Sequence, residues 1–398
     1  MITDVIKTVY LFIYKFFFSI FKVLPIKRKV VMYVTFRQNA YYIIRELLSR
    51  EIELPIVLIC NKASYRRLKK FENNNVKLIL NDNKLLFFKK IFHLSTAKII
   101  IVDNYFPFLA ATNFKKEVEC IQIWHAAGAI KSFGLPANNT HTRTKISIKR
   151  FHSVYNRFDK IVIGSDEMGT IFKKAFGLKK DIFLKTGIPR TDLFYLDEKK
   201  EQLKSAFLKK YPMAAKKKII LYAPTFRDTE SYDYKLDIPY LKKKLGDQYY
   251  LIAKLHPVTK QTIIAPDEVS DFFKLIDSPY DVNELLQVTD ILITDYSSIP
   301  FEFCILEKPM VFFPYDLVEY SAERGLWMDY ESFVPGPVAK DTESLVDRIQ
   351  NIDKLFDRQA VKEFNEIWNK YSKGQSSKDF VDYIMKRLDE NQVIKHER

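Results

Sequence analysis

Short runs of consecutive apolar residues, each followed by a stretch with helical spacing, recur in two successive series along this chain. No other feature restricts the fold as much. A strand that is apolar on both faces must be covered on both faces, which is the situation of a parallel sheet packed between helix layers. The first series places strands at 30–34, 55–60, 76–80, 98–102, 119–124 and 160–164, with helices at 41–49, 63–71 and 84–94. A lysine-rich joint follows, and the pattern restarts. Strands are expected at 218–222, 249–255, 272–275, 291–294 and 310–313, with helices at 238–245, 282–287, 301–306 and 342–351. The reading is α/β: two doubly wound domains, 29–205 and 206–398, facing each other across a cleft, preceded by a separate segment, 1–28.

That segment is rich in Phe, Tyr, Ile, Leu and Val, yet Asp4, Lys7, Lys15 and Lys22 interrupt it. A charge at mid-bilayer costs about 3 kcal/mol on insertion scales, which argues against a spanning helix. No small-residue cleavage site follows, which argues against a signal peptide. At helical spacing Asp4, Lys7, Thr8, Lys15, Ser19 and Lys22 share a narrow arc, and Val5, Ile6, Val9, Phe12, Phe16 and Ile20 lie on the wide remainder. The segment reads as an amphipathic helix lying in a membrane surface, with Lys27-Arg28-Lys29 meeting anionic headgroups. A helix packed on the protein's own core has the same periodicity.

The formal net charge of +15 favours anionic partners. The basic residues are dispersed and no nucleic-acid-binding motif is present, so nucleic acid is not expected as a partner. Cys60, Cys120 and Cys304 stand far apart with no CxxC pair, so neither a zinc site nor a redox motif is expected.

In open parallel sheets ligands bind beyond the carboxyl ends of the strands, which directs attention to the residues after each run. After 119–124 come His125, small residues and Lys131; an imidazole there can take a proton near neutral pH. After 218–222 come Thr225 and Arg227, natural phosphate contacts. After the apolar run 250–253 come Lys254, His256 and Pro257, two cationic-capable groups followed by a strand stop. After 291–294 come Asp295, Ser297, Ser298 and Glu302. Ser297 or Ser298 reads as a helix N-cap with Pro300 in the first turn, an anion site, and Glu302 as an acceptor for ribose hydroxyls. Each has a plainer reading: a hydrogen-bonded structural histidine, a surface turn, a solvated edge, a simple cap.

Together these blocks resemble the CDP-glycerol glycerophosphotransferase family of teichoic acid synthesis. The resemblance lies in Trp124-His125 with Gly128 and Lys131, Gly187-Ile188-Pro189-Arg190-Thr191-Asp192, Tyr222-Ala223-Pro224-Thr225-Phe226-Arg227, Lys254-Leu255-His256-Pro257, and Thr294-Asp295-Tyr296-Ser297-Ser298. It implies a GT-B fold of two Rossmann-like domains, with the CDP donor on the C-terminal one and His125 and His256 as the functional histidines. It implies substrate contacts from Trp124, Gly128, Lys131, Arg190, Thr225, Arg227, Lys254, Pro257, Asp295, Ser297, Ser298 and Glu302. Polymerising members usually carry a Trp-His-Gly-Thr-Pro segment. The variant at 124–131 looks like the primase branch, which adds the first glycerol phosphate from CDP-glycerol to an undecaprenyl-diphosphate-linked N-acetylmannosaminyl-N-acetylglucosamine and releases CMP. Expected with it are a Gram-positive cell wall, a peripheral place on the cytoplasmic face of the membrane, no resident cofactor or metal, and at most Mg²⁺ assisting the donor diphosphate. Other readings are a poly(glycerol phosphate) polymerase, a nucleotide-sugar glycosyltransferase of the same fold and, from another class, a basic nucleic-acid-binding protein.

Overall fold

The computed structural model describes residues 2–137, 143–227, 234–256, 259, 262–276 and 280–390. The chain forms two compact units. One comprises the residues up to Ala126, Phe133–Asp192 and the residues from Lys370 onward; the other comprises Ala127–Ser132 and Leu193–Asn369.

Unit one is built on a seven-stranded parallel sheet. In chain order its strands are β1 (Lys27–Val34), β2 (Ile56–Cys60), β3 (Val76–Leu80), β4 (Ala97–Val102), β5 (Glu119–Gln122), β6 (Lys160–Val162) and β7 (Phe183–Leu184). They lie in the spatial order β3-β2-β1-β4-β5-β6-β7. β2 and β4 are buried along their whole length, as apolar strands covered on both faces must be. The two-residue β7 was not anticipated, since a run so short carries no periodic signal. Unit two holds a five-stranded parallel sheet of β8 (Lys218–Ala223), β9 (Tyr249–Ala253), β10 (Phe273–Leu275), β11 (Ile291–Thr294) and β12 (Met310–Phe312), ordered β10-β9-β8-β11-β12. In both sheets the winding reverses beside the first strand: between β1 and β4 in unit one, and between β8 and β11 in unit two. Such reversals open a crevice at the strand ends where no crossover helix covers the backbone.

The sequence reading carries the second domain to residue 398, but the last helix, Ser376–Asp389, belongs to unit one. Asp192 accepts from the amides of Ser376 (2.9 Å) and Ser377 (2.8 Å) at its start. Farther along, Tyr383 Oη and Arg387 Nε donate to Glu119 at 2.6 and 3.0 Å.

The N-terminal helix, Ile2–Phe21, divides its apolar surface. Tyr14 (3% exposed) and Phe18 (1%) face inward, where Tyr14 stacks on Phe108 and Phe18 meets Phe114 edge-on. Val5, Ile6, Val9, Phe12, Phe16 and Ile20 stay exposed, Phe12 at 72%. Asp4 ties the helix to the segment Thr144–Tyr155 by accepting from Thr144 Oγ1 (2.8 Å) and Arg150 Nη2 (3.3 Å). The proposed headgroup cluster needs correction. Lys29 is the third residue of β1 and 4% exposed, with Nζ donating to Thr96 Oγ1 at 2.7 Å, and Arg28 pairs with Asp389 at 2.8 Å. Of the three, Lys27 is the exposed one. Among the described residues no helix is long and apolar enough to cross a membrane. The three cysteines are free and buried, and burial pushes the Cys60 thiol up to about 12.

Candidate active site

In unit one the residues after β1, β4 and β5 close around His125. Its Nδ1 lies 2.8 Å from the backbone carbonyl oxygen of Asp103. A carbonyl oxygen only accepts, so Nδ1 carries the proton and, in the neutral ring, Nε2 carries the basic lone pair. Phe36 and Trp124 each stack on the imidazole with ring centroids 4.3 Å away. Trp124 adopts φ 51°, the left-handed region that costs a non-glycine residue about 1–2 kcal/mol. Neighbouring groups hold it there. Its amide donates to Gln122 Oε1 (2.9 Å), and Asn39 Nδ2 donates to its carbonyl (3.0 Å) and to that of Ile123 (3.2 Å). The other end of the Asn39 amide accepts from the Arg190 backbone N–H at 3.1 Å, and Arg190 Nη1 donates to the His125 carbonyl at 2.7 Å. Trp124, His125 and Arg190 thus come together through one buried asparagine. Arg190 serves here as a brace for the backbone.

Asp103, at the end of β4, is 1% exposed. Its carboxyl accepts from the amides of Thr35 (2.8 and 3.0 Å) and Phe36 (2.7 Å). Burial lifts its pKa to about 8 against the opposing pull of those N–H groups.

In unit two a second cluster sits at the reversal beside β8. Arg227 is enclosed, its side chain 5% exposed. Nε and Nη2 grip Asp316 at 2.7 and 2.9 Å, Nη2 also reaches Asp295 at 3.0 Å, and Nη1 donates to the Thr225 carbonyl at 2.8 Å. The guanidinium lies over the Tyr320 ring, 4.4 Å from its centroid, and Tyr320 in turn stacks on Tyr296 at 3.9 Å. Asp295 also accepts from the Thr225 amide (2.8 Å) and from the Tyr296 amide (2.7 Å). The expected phosphate ligand Arg227 is therefore committed to two carboxylates, and it fixes the loop that presents Thr225. Thr225 Oγ1 is buried and has no hydrogen-bond partner among the described residues.

His256 is exposed to solvent on one side. Nearby protein mass and then the charge of Lys131 hold its pKa below the ordinary histidine value. Lys254 Nζ donates to the Ile276 carbonyl at 3.2 Å. Pro257 lies outside the described residues. The serines depart from the capping expectation. The helix is the single turn Pro300–Phe303 with Ile299 as its N-cap and no side-chain cap bond; Ser297 Oγ accepts from the Ile299 amide at 3.3 Å, and the Ser298 carbonyl accepts from the Phe301 amide at 3.2 Å. Glu302 is 1% exposed, inside unit two. Gly128 packs flat on Phe301: a Cβ there would fall 2.3 Å from the ring. Among the described residues no group of three His, Cys, Asp or Glu side chains could hold a metal ion.

The family model for CDP-glycerol:poly(glycerophosphate) glycerophosphotransferases matches residues 16–386. The chain belongs to this family. It is 39% identical over 359 residues to the teichoic acid glycerol-phosphate primase of Bacillus spizizenii, covering 89% of this chain and 92% of that protein. It is 38% identical over 360 residues to the primase of the same name from Bacillus subtilis, covering 89% and 91%. The solved structure of the wall teichoic acid polymerase TagF superposes with a TM-score of 0.79 at 22% identity, over 98% of this chain and 99% of that one; a variant of it was also solved after a CDPG soak. At that identity the likeness shows the α/β fold.

Within this glycerophosphotransferase, sequence reading passed over Phe36, Asn39 and Asp103. Asp103 directly follows the apolar run of β4, so the strand-end rule that singled out His125 reaches it too. Nothing local marks Asn39, whose partners are distant in sequence.

Proposed function

We propose that the protein transfers glycerol phosphate from CDP-glycerol to a sugar hydroxyl of an undecaprenyl-diphosphate-linked N-acetylmannosaminyl-N-acetylglucosamine, releasing CMP, as a primase. One observation carries the chemistry: His125 presents Nε2 as its basic nitrogen because Asp103 engages Nδ1. The acceptor hydroxyl loses its proton to Nε2 as its oxygen attacks the glycerol-bearing β-phosphorus. The bond from that phosphorus to the bridging oxygen breaks, and CMP leaves with the electron pair. Phosphoryl transfer of this kind needs positioning and charge stabilisation more than covalent help. Thr225 Oγ1, the His256 N–H, Lys131 and Lys254 are the groups assigned to the donor diphosphate. Arg227, Asp295 and Ser297–Ser298 shape the loops that present it.

The choice of a glycerol-phosphate primase is supported by two relatives of that name, 39% and 38% identical over 89% of this chain. A GT-B arrangement, with the acceptor served by unit one and the donor by unit two, is part of the proposal. So is attachment to the cytoplasmic face of the membrane through the exposed side of the N-terminal helix, where Phe12 and Phe16 are 72% and 57% exposed beside Lys7 and Lys15. The test is donor choice. Nucleotide release, CMP from CDP-glycerol or UDP from a UDP-sugar, is measured with a lipid-linked disaccharide analogue and each donor in turn. Turnover of CDP-glycerol alone is expected, and turnover of a UDP-sugar in its place would replace this reading with a glycosyltransferase.

A further inference from the structure

The buried carboxyl of Asp103 is an odd choice for its place. It sits at the winding reversal of the first sheet, 1% exposed, and it is held by the backbone N–H groups of Thr35 and Phe36 together with the Thr35 side chain. Burying a carboxyl costs several kcal/mol unless its hydrogen bonds are made, and an apolar residue would close a strand end at less cost. What the carboxyl holds is specific. The amides of Thr35 and Phe36 form the turn between β1 and the helix Arg37–Ser49. Locking that turn sets the Phe36 ring 4.3 Å from the His125 ring, at an interplanar angle of 26°. Trp124 lies on the imidazole at the same distance and angle. The same residue's main chain supplies the acceptor for His125 Nδ1 at 2.8 Å.

We propose that Asp103 is a positioning residue for His125, its carboxyl fastening the Thr35–Phe36 turn that walls the imidazole and its backbone carbonyl fixing the Nδ1–H tautomer. The two functions reinforce each other. A carbonyl at the end of a strand can rotate unless its residue is anchored, and the side chain anchors it. Substrate does not touch Asp103; it acts by keeping Nε2 basic and aimed. This inference rests on the reading of His125 as the base, yet the hold on the ring is measurable without turnover.

The experiment is histidine-selective ¹⁵N NMR of the full chain, with the His125 signal assigned by its loss in His125→Gln. In the wild type a neutral His125 in the Nδ1–H tautomer is expected. In Asp103→Ala the ring should become a mixture of tautomers, with kcat for CDP-glycerol falling about tenfold or more and KM changing less than about threefold. Asp103→Asn keeps one acceptor oxygen for the turn and should recover most of kcat and the single tautomer. An Nε2–H tautomer in the wild type overturns the proposal, as does an unchanged ring signal in Asp103→Ala. If Asp103→Ala does not fold, Phe36→Leu tests the wall alone. That variant should lower kcat with little change in KM, and wild-type kcat in it overturns the role of the wall. An active His125→Gln would refute the base assignment, while the tautomer measurement would still decide what Asp103 does.

Discussion

Replacing Arg227 by Met removes the guanidinium held between two carboxylates. Asp295 keeps a side chain 2% exposed and loses its cation; Asp316, at 22%, is partly relieved by water. Breaking a buried pair by removing one partner costs about 3–5 kcal/mol, because the remaining charge stays buried. The Tyr320 stacking at 4.4 Å adds about 1 kcal/mol, and the partial exposure of Asp316 offsets a similar amount. The expected loss is therefore about 4 kcal/mol in unit two, a fall in its unfolding midpoint of about 10 °C for a body of this size. The assay is thermal unfolding followed by tryptophan fluorescence in a Trp124→Phe background. Trp327 and Trp368, both in unit two, then report on that unit. Adding Asp295→Asn and Asp316→Asn to Arg227→Met removes both orphaned charges and should restore at least half of the loss. A fall of less than about 1 kcal/mol, or no recovery in the triple variant, would show that charge pairing is not what holds this loop.

Gly128→Ala places a methyl 2.3 Å from the fully buried Phe301 ring, which is itself packed by Trp368 at 4.7 Å. Overpacking should cost about 1–3 kcal/mol, read as a lower unfolding midpoint. Lys131→Met removes a positive charge that disfavours protonated His256, so the His256 pKa should rise toward its ordinary value in an NMR titration. Burial holds Lys29 down to about 8. The folded state therefore binds fewer protons than the unfolded chain between about pH 8 and the ordinary lysine value near 10.4, and stability should rise with pH across that window. Urea unfolding at several pH values should show the rise, and Lys29→Met should abolish it. On the N-terminal helix, Phe12→Asp with Phe16→Asp should weaken binding to anionic vesicles and leave the midpoint nearly unchanged. Phe18→Ala should cost about 3–5 kcal/mol instead, because Phe18 is 1% exposed.

Much of the fold is legible because parallel strands buried on both faces spell themselves as uninterrupted apolar runs, as in Ile56–Cys60 and Ala97–Val102. The strand-end rule then leads to His125, Thr225, Arg227 and Asp295. What it does not supply is the partner of each. Arg227 reads as a phosphate ligand in sequence, but the loop with Asp316 folds back and engages it. Lys29 reads as part of a basic cluster, although the strand that starts at Lys27 carries it into the interior beside Thr96. Asn39 and Arg190 meet only through tertiary closure. The N-terminal helix shows a wide apolar arc in sequence. Periodicity alone does not say that Tyr14 and Phe18 are its covered part.

The central claim is that one glycerol phosphate is added to a lipid-linked sugar. Incubation of the full chain with CDP-glycerol and an undecaprenyl-type disaccharide diphosphate analogue, followed by mass spectrometry of the lipid product, tests it directly. The expected product is heavier by a single glycerol phosphate unit, with one CMP released per product. A ladder of many units would make the protein a polymerase, and an unmodified acceptor alongside intact CDP-glycerol would contradict the account.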